Sequence, residues 1–328
     1  TFRFWIELGA DGFRIDVAHG LVKEEIHKDH ADPEGLSAAL RLDVLMEPGK
    51  RNELLASNPF FDRDGVHEIY RKWRKLFDSY QGRDIMAVAE IWVQPPTRAT
   101  LYVRKDELQQ FFNFDVMNSP FESKHLYENI SNTLDLVKAE AAWPTWCLSN
   151  HDCERVASRI GADAARAMAL FVLGLPGSTY IFNGQELGLP TGEMSDGDRQ
   201  DPIYFRTGGK EKGRDGARVP LPWSGDRAPF GFTTGKPWLP LQDSWRNYTV
   251  EAQENDADSS LNLYRRAIAI RKERFIGSGD IQWLSTDGIL SYRRGQITVI
   301  LNTTEENYKF EGEVLLASGD TRGNTSGN

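Results

Sequence analysis

Two apolar runs near the start of the chain predict buried strands. Residues 6–17 and 85–93 are nearly apolar throughout, as strands buried on both faces of a sheet are. Between them, residues 65–80 place apolar side chains at helical spacing, with Asp62 or Asp64 available to cap the helix. The same alternation predicts strands over 108–114, 144–149 and 178–182 and helices over 126–140 and 163–173. Alternating strands and helices indicate an α/β fold with a parallel sheet.

Two insertions interrupt this alternation, over residues 20–59 and 184–245. Both exceed ordinary connection lengths and are rich in Gly, Pro and Asp. Long loops of this kind usually carry function. We therefore expect them to shape a site.

The hydrophobic period changes from helical to alternating near the end of the chain. Residues 259–274 show helical spacing, whereas residues 281–301 alternate and contain turn signals at Gly288 and Gly295. This change predicts antiparallel hairpins after the last helix. The predicted domains are residues 1–278 and a β-sandwich-like, incomplete domain over 279–328.

Composition and charge exclude several classes of function. The 328 residues are 40% hydrophobic and 27% charged, which is ordinary for a soluble globular protein. A net charge of −9 argues against a nucleic-acid partner, and we interpret the basic run Arg71–Lys75 as the solvated face of a helix. The longest apolar stretch, Ala167–Phe182, is too short and too interrupted to span a bilayer, so no membrane segment is predicted.

The start of the chain and its two cysteines give information about truncation and about the cellular compartment. Thr1 begins a segment that resembles neither a signal peptide nor a natural start, so the chain looks truncated. Cys147 and Cys153 show no zinc or redox spacing and are predicted to be free thiols. Few cysteines favour a cytoplasmic location.

Three carboxylates, Asp16, Glu90 and Asp152, each follow an apolar run. An aspartate that follows a strand, such as Asp16 taken alone, is more often a cap or turn residue than a catalytic one. Arg14 shares a strand face with Asp16, and His151 directly precedes Asp152, so the set predicts a polar cluster of the size of a sugar. Glycoside cleavage needs two opposed carboxyl groups and further polar groups that hold the ring. In a parallel β/α barrel, such groups lie at the carboxyl ends of strands.

The segments that carry these carboxylates resemble those of a known family. Asp11–Asp16, Ala89-Glu90 and Ser149–Asp152 resemble, in order, the second, third and fourth signature segments of the α-amylase superfamily, glycoside hydrolase family 13. Ile181–Gly188 and Gly213–Trp223 extend the resemblance into the α-glucosidase branch, and the sequence around Asp16 is most similar to actinobacterial-type α-glucosidases. The resemblance covers nearly the whole chain. It implies a partial (β/α)8 TIM barrel, about strands 4 to 8, followed by an antiparallel β domain, with the first three strands upstream of the chain.

By this resemblance Asp16 would be the nucleophile, Glu90 the general acid/base and Asp152 the residue that stabilises the distorted ring. Arg14 would keep Asp16 ionised, while partial desolvation would raise the pKa of Glu90 and keep it a proton donor. The family mechanism is retaining, so the carboxyl groups of Asp16 and Glu90 should lie roughly 5 to 5.5 Å apart.

The resemblance also implies contacts to the substrate. His151 would hydrogen-bond sugar hydroxyls, Arg214 would contact the non-reducing-end glucose, and Val17 would line the site and affect linkage preference. Trp223 and Trp238, in the second insertion, could close a pocket behind one glucose or could equally be core residues. The expected substrate is a short oligosaccharide or disaccharide, cleaved from its end.

No metal or cofactor is assigned. A calcium or magnesium site, as many family members have, would lie upstream of Thr1. His27 and His30 are spaced three apart, but the polar residues between them favour a polar helix or loop.

Several functions fit the same residues. An α-1,4 preference is favoured, and an oligo-1,6-glucosidase, a sucrose-acting enzyme or a transglucosylase is the alternative, because nucleophile and acid/base do not choose the acceptor. A non-catalytic amylase-like partner is a further alternative, although such chains generally lose catalytic carboxylates. The isolated fragment is expected to be inactive, and the oligomeric state stays open.

Overall fold

The fold is described from a computed structural model that covers residues 1–24, 30–39 and 46–319. The chain divides into two units, Thr1–Asn113 with Ile130–Trp146, and Phe114–Asn129 with Cys147–Asn328. The predicted domain division at residue 278 stays a prediction. The elements of the first half are α1 (Phe2–Glu7), β1 (Gly12–Ile15), α2 (Pro33–Ala39), α3 (Pro48–Ala56), α4 (Gly65–Asp78), β2 (Met86–Ala89), β3 (Gln110–Phe111), α5 (Asp115–Asn118), α6 (Ser123–Ala139) and β4 (Thr145–Cys147). The second half contains α7 (Val156–Ile160), α8 (Ala162–Gly174), β5 (Ser178–Tyr180), α9 (Pro202–Arg206), α10 (Val250–Glu254), α11 (Ser260–Arg274), β6 (Gln282–Asp287), β7 (Ile289–Arg294) and β8 (Ile297–Asn302).

A parallel sheet in the order β1-β2-β3 organises the first unit, as the alternation predicts. Ile15 pairs with Ala89, so β1 and β2 end at the same level. The core beneath them includes Tyr70 and Phe77 of α4, both almost fully buried. The strand predicted over 6–17 is wrong in its first part, where α1 ends at Glu7 and a turn follows before β1 begins at Gly12. An apolar run has the same appearance in a buried helix and a buried strand, and periodicity does not separate the two.

Helix α4 begins at the predicted residue, but its capping differs from the prediction. Asp64 occupies the N-cap position without a side-chain hydrogen bond to the helix. Its carboxylate instead accepts a hydrogen bond from Arg98 at 2.9 Å. Arg98 also pairs with Asp62, whose carboxylate accepts a second bond from the Tyr102 hydroxyl at 2.8 Å. The two aspartates therefore fix the loop before α4.

The basic run on α4 is not simply a solvated face, which corrects that interpretation. Arg71 reaches the fully buried carboxylate of Glu107 at 3.1 Å. Arg104 approaches the same carboxylate at 2.5 Å, and His67 Nδ1 lies 2.8 Å from it. A buried carboxylate needs such partners because desolvation disfavours its charge.

We predict that Glu107→Gln lowers the free energy of unfolding by about 3 kcal/mol, because it removes the charge that these side chains surround. Urea unfolding of the full-length protein measures this change. Asp106→Asn is the matched control, since Asp106 is an exposed partner of the same Arg71, and its loss should cost less than about 1 kcal/mol. Equal losses in the two variants would contradict the prediction.

The second unit ends in the predicted antiparallel sheet, β6-β7-β8. Gly288 and Gly295 have φ of 65° and 58° and make the turns between its strands, as predicted. Tyr292 of β7 is completely buried and donates its hydroxyl hydrogen bond to the carbonyl of Phe171 in α8 at 2.6 Å. Residues 320–328 of the predicted C-terminal domain lie outside the described residues. Within the described part of the chain, no helix is long and apolar enough to cross a membrane.

Candidate active site

Two predicted carboxylates lie side by side at the carboxyl ends of neighbouring strands. Asp16 directly follows β1 and Glu90 directly follows β2. The Glu90 N–H donates to the carbonyl of Ile15 at 2.9 Å, which continues the strand ladder up to the site. The predicted placement of these two residues is confirmed.

Arg14 connects the two carboxylates. Its Nη1 lies 2.6 Å from Asp16 Oδ1, and its Nη2 lies 2.8 Å from Glu90 Oε2. One guanidinium thus bridges both groups, because residues 14 and 16 lie on the same side of the chain. The predicted contact of Arg14 with Asp16 is confirmed, and its contact with Glu90 is additional.

The two carboxylates differ in their environments. The Asp16 side chain is 69% exposed, whereas that of Glu90 is 10% exposed. Burial raises the pKa of Glu90, and a hydrogen bond with Asp16 adds to this rise, while the charge of Arg14 and the N–H of Val17 oppose it. The predicted direction for Glu90 is confirmed. A carboxyl group of raised pKa beside an accessible one is the arrangement that separates a proton donor from a nucleophile.

Val17 has an unusual backbone conformation. Its φ and ψ of 44° and 46° lie in the left-handed region, which a β-branched residue rarely adopts. In this conformation its N–H points at Glu90 Oε2, 3.3 Å away, while its side chain is 42% exposed. The structure therefore places Val17 beside both carboxylates.

The remaining predicted site residues form a second cluster, in the other unit. Asp152 Oδ1 accepts hydrogen bonds from Arg214 Nη1 at 2.8 Å and from Arg218 Nη2 at 3.0 Å. His151 Nε2 lies 3.3 Å from Asp152 Oδ2, and the His151 carbonyl accepts a bond from Arg218 at 2.9 Å. His151, Asp152 and Arg214 are thus brought together.

Asp201 anchors this second cluster. Its carboxylate, almost fully buried, accepts bonds from Arg214 Nε at 2.7 Å and from the Arg214 N–H at 2.9 Å. Burial alone would raise the pKa of Asp201, but these bonds and the one from the Ile203 N–H outweigh it and hold the pKa well below its usual range. Asp201 therefore remains an anion that orients Arg214.

Asp201 and Arg218 were not among the sequence-predicted site residues. Arg218 lies four residues after Arg214 in the segment Gly213–Trp223, so that spacing was its available signal. Asp201 precedes Pro202 and accepts from the Ile203 N–H at the start of α9, a pattern that by itself predicts only a cap.

Trp223 and Trp238 both lie outside the core. Trp223 is 48% exposed and Trp238 is 75% exposed, so the alternative that both are core residues is wrong. Their predicted role in closing a pocket stays a prediction.

The two cysteines and the histidines bear on cofactor chemistry. Cys147 and Cys153 are thiols outside any disulfide, as predicted. His27 lies outside the described residues, and His30 contacts the Asp32 carbonyl and Ser57 Oγ at 2.8 and 3.0 Å. In residues 1–24, 30–39 and 46–319, no group of three or more His, Cys, Asp or Glu side chains is arranged to hold a metal ion.

Comparison with known proteins identifies the class to which this fold and these clusters belong. Residues 1–279 match the family model of the alpha-amylase catalytic domain. The chain belongs to this family, whose fold is a TIM barrel, here with an antiparallel sheet near its C-terminus.

Particular relatives to which the chain is similar can then be named. It is 27% identical to an oligo-1,6-glucosidase of Bacillus cereus, over 94% of this chain and 60% of the relative. It is also 27% identical to a probable alpha-glucosidase of Rhizobium meliloti (strain 1021), over 93% of this chain and 57% of the relative. The solved structure of the alpha-glucosyl transfer enzyme XgtA aligns with a TM-score of 0.76 at 28% identity, covering 95% of this chain and 60% of that one. The chain thus spans about 60% of the length of the curated relatives that it matches.

Proposed function

We propose that this chain is part of a retaining α-glucosidase that releases terminal α-linked glucose from short oligosaccharides. The observation that carries the proposal is the pair formed by exposed Asp16 and buried Glu90, bridged by Arg14. Two carboxyl groups with environments that differ in this way can act as nucleophile and proton donor on one glycosidic bond.

In the proposed reaction, Glu90 donates a proton to the glycosidic oxygen as the bond to the anomeric carbon breaks. Asp16 attacks that carbon and forms a glucosyl ester, and the first product leaves as an alcohol. Glu90, now a carboxylate, takes a proton from water, whose oxygen displaces Asp16 from the anomeric carbon. Asp152, held by Arg214 and by Arg218, is proposed to bind ring hydroxyls and to favour the distorted ring.

Linkage preference belongs to the proposal as well. We favour α-1,4 over α-1,6 bonds, with Val17 as the residue beside the nucleophile that influences the choice. The names of the relatives support α-glucoside chemistry of either linkage. Faster turnover of isomaltose than of maltose would contradict the α-1,4 preference.

Transglucosylation is the second candidate function. It is supported by the likeness to the alpha-glucosyl transfer enzyme XgtA. Hydrolysis passes the glucosyl group from Asp16 to water, whereas transglucosylation passes it to a sugar hydroxyl. Analysis of the products formed from maltose alone therefore distinguishes the two, because hydrolysis yields only glucose and transfer also yields longer oligosaccharides. A non-catalytic role would leave both products absent.

Cofactor use and cellular location are also part of the proposal. The reaction uses side chains alone and assigns no cofactor. A cytoplasmic location is supported by the two cysteines, neither of which is in a disulfide.

The experiment that tests the proposal is peptide mass spectrometry of the full-length protein after incubation with a fluorinated α-glucosyl trapping reagent. A hexosyl adduct on the peptide that contains Asp16 is expected, because the fluorinated ester resists hydrolysis. A folded protein without any adduct would contradict a covalent mechanism. An adduct on another peptide would contradict Asp16 as its nucleophile.

We predict that Arg214→Lys raises KM for maltose about 10-fold with a smaller change in kcat, because lysine cannot bond Asp201 and Asp152 together. Steady-state kinetics at pH 7 measure the change. Arg206→Lys is the matched control, since Arg206 is an exposed residue of α9 in the same insertion, and its kinetics should equal those of the parent. An unchanged KM in Arg214→Lys would contradict a substrate-binding role for this cluster.

A further inference from the structure

A buried histidine follows the candidate nucleophile by three residues, and none of the roles assigned above uses it. His19 is 1% exposed, and its ring packs edge-on against Phe61 with centroids 4.3 Å apart. Because it is buried, His19 is not suited to bind a substrate hydroxyl directly. Any influence on catalysis must act through its protein neighbours.

Those neighbours belong to the segment that carries Glu90. The Trp92 N–H donates to His19 Nδ1 at 3.3 Å, and the Ala18 N–H donates to the Glu90 carbonyl at 2.8 Å. The Val17 N–H in addition donates to Glu90 Oε2. Each of the three residues that follow Asp16 therefore hydrogen-bonds a different atom of the segment 90–92. The turn after β1 therefore fixes both the backbone and the carboxylate of Glu90.

The ring of His19 is neutral over the physiological range. Burial lowers its pKa to about 4, while contact with the Glu90 backbone and the charge of Asp62 oppose this fall and Lys23 adds to it. A backbone N–H can only donate, so toward the Trp92 N–H the ring nitrogen Nδ1 is the acceptor. Nε2 has no hydrogen-bond partner among the described residues, which leaves Nδ1 as the ring atom that acts on this segment.

The turn is held from its other side as well. Tyr70 donates its hydroxyl bond to the Ala18 carbonyl, and the Asp62 N–H donates to the His19 carbonyl at 2.7 Å. The left-handed conformation of Val17 is strained for a β-branched residue and persists only where the surroundings determine it. These contacts are the surroundings that hold Val17 with its N–H directed at Glu90.

We propose that His19 is a positioning residue for Glu90: its Nδ1 anchors the Trp92 N–H so that the Glu90 carboxyl stays between Arg14, Asp16 and the Val17 N–H. This inference rests on the proposed function, because it concerns the proton transfer that Glu90 would perform. It assigns His19 no contact with the substrate.

The test compares His19→Asn with His19→Gln in the full-length protein. Asn places an amide atom where Nδ1 lies, and Gln places its amide near the position of Nε2. The readout is kcat/KM on maltose, which needs a protonated leaving group, and on α-glucosyl fluoride, which does not. His19→Gln is expected to lose about 10- to 100-fold on maltose and less than about 3-fold on the fluoride, and His19→Asn to stay close to the parent on both.

The outcomes separate this inference from the function on which it rests. Equal losses on both substrates, or His19→Asn as impaired as His19→Gln, would overturn the positioning role. The alkaline limb of the pH dependence of kcat/KM gives a second readout, since it reports the pKa of Glu90, which Arg14 and Asp16 face directly. This alkaline limb should shift along the pH axis in His19→Gln and stay in place in His19→Asn. A folded parent that cleaves neither substrate would contradict the glucosidase itself and the inference with it.

Discussion

Replacing Asp16 with Asn is expected to lower kcat/KM on maltose by at least about 10⁴-fold, because the amide cannot form the glucosyl ester. The fold should survive the change, since the Asp16 side chain is largely exposed and its ion pair with Arg14 is a surface contact. Initial rates measure the loss, and the hexosyl adduct on the Asp16 peptide should disappear with it.

A matched control and a rescue make this result specific. Asp11→Asn removes an exposed aspartate just before the same strand, paired with Arg83, and should leave kcat/KM within about 2-fold of the parent. In Asp16→Gly, added azide should reach the vacated position and yield β-glucosyl azide, which proton NMR identifies by its anomeric signal. Rates in Asp16→Asn equal to those in Asp11→Asn would rule out Asp16 as the nucleophile.

Much of the fold can be predicted from local sequence patterns, and the errors of that prediction have local causes. The helix predicted over 65–80 is observed as Gly65–Asp78, because one amphipathic period and a buried face determine it. The strand predicted over 108–114 shrinks to Gln110–Phe111, since its hydrogen-bond partner β2 ends at Ala89. Apolar periodicity identifies a buried segment, but pairing with a neighbour decides how much of it is strand.

In the candidate site, too, some contacts can be predicted from the sequence and others cannot. The pairing of Arg14 with Asp16 was predictable, because side chains two residues apart on a strand share a face. The bond from Arg214 to Asp152 joins residues 62 apart, and only the family resemblance suggested Arg214. No periodicity indicates that Asp201 orients Arg214 or that His19 holds the Trp92 N–H, because both contacts depend on how loops return to the sheet.

Replacing Glu90 with Gln is expected to lower kcat/KM on maltose by about 10²- to 10⁴-fold, because the amide cannot donate a proton to the glycosidic oxygen. Since α-glucosyl fluoride needs no such proton, its kcat/KM should fall far less. The parent should lose activity as pH rises through the raised pKa of Glu90, and this alkaline limb should be absent in the variant. Glu68→Gln, an exposed glutamate of α4, is the control and should keep both rates and the limb.

The same substitution is expected to stabilise the protein above the raised pKa of Glu90. A carboxyl group whose pKa is raised by folding contributes stability that is complete below its unfolded pKa and is lost as pH rises through its folded pKa. Above that folded pKa the parent holds an ionised Glu90 in a buried position at a cost, and Gln removes that charge with little change in shape. Thermal melting should therefore show Glu90→Gln above the parent at pH values beyond the alkaline limb of activity, with the difference shrinking as the pH falls below that limb. A lower melting temperature of the variant at those alkaline pH values would mean that the ion pair with Arg14 outweighs the desolvation of Glu90, which would contradict the basis on which Glu90 is assigned as the proton donor.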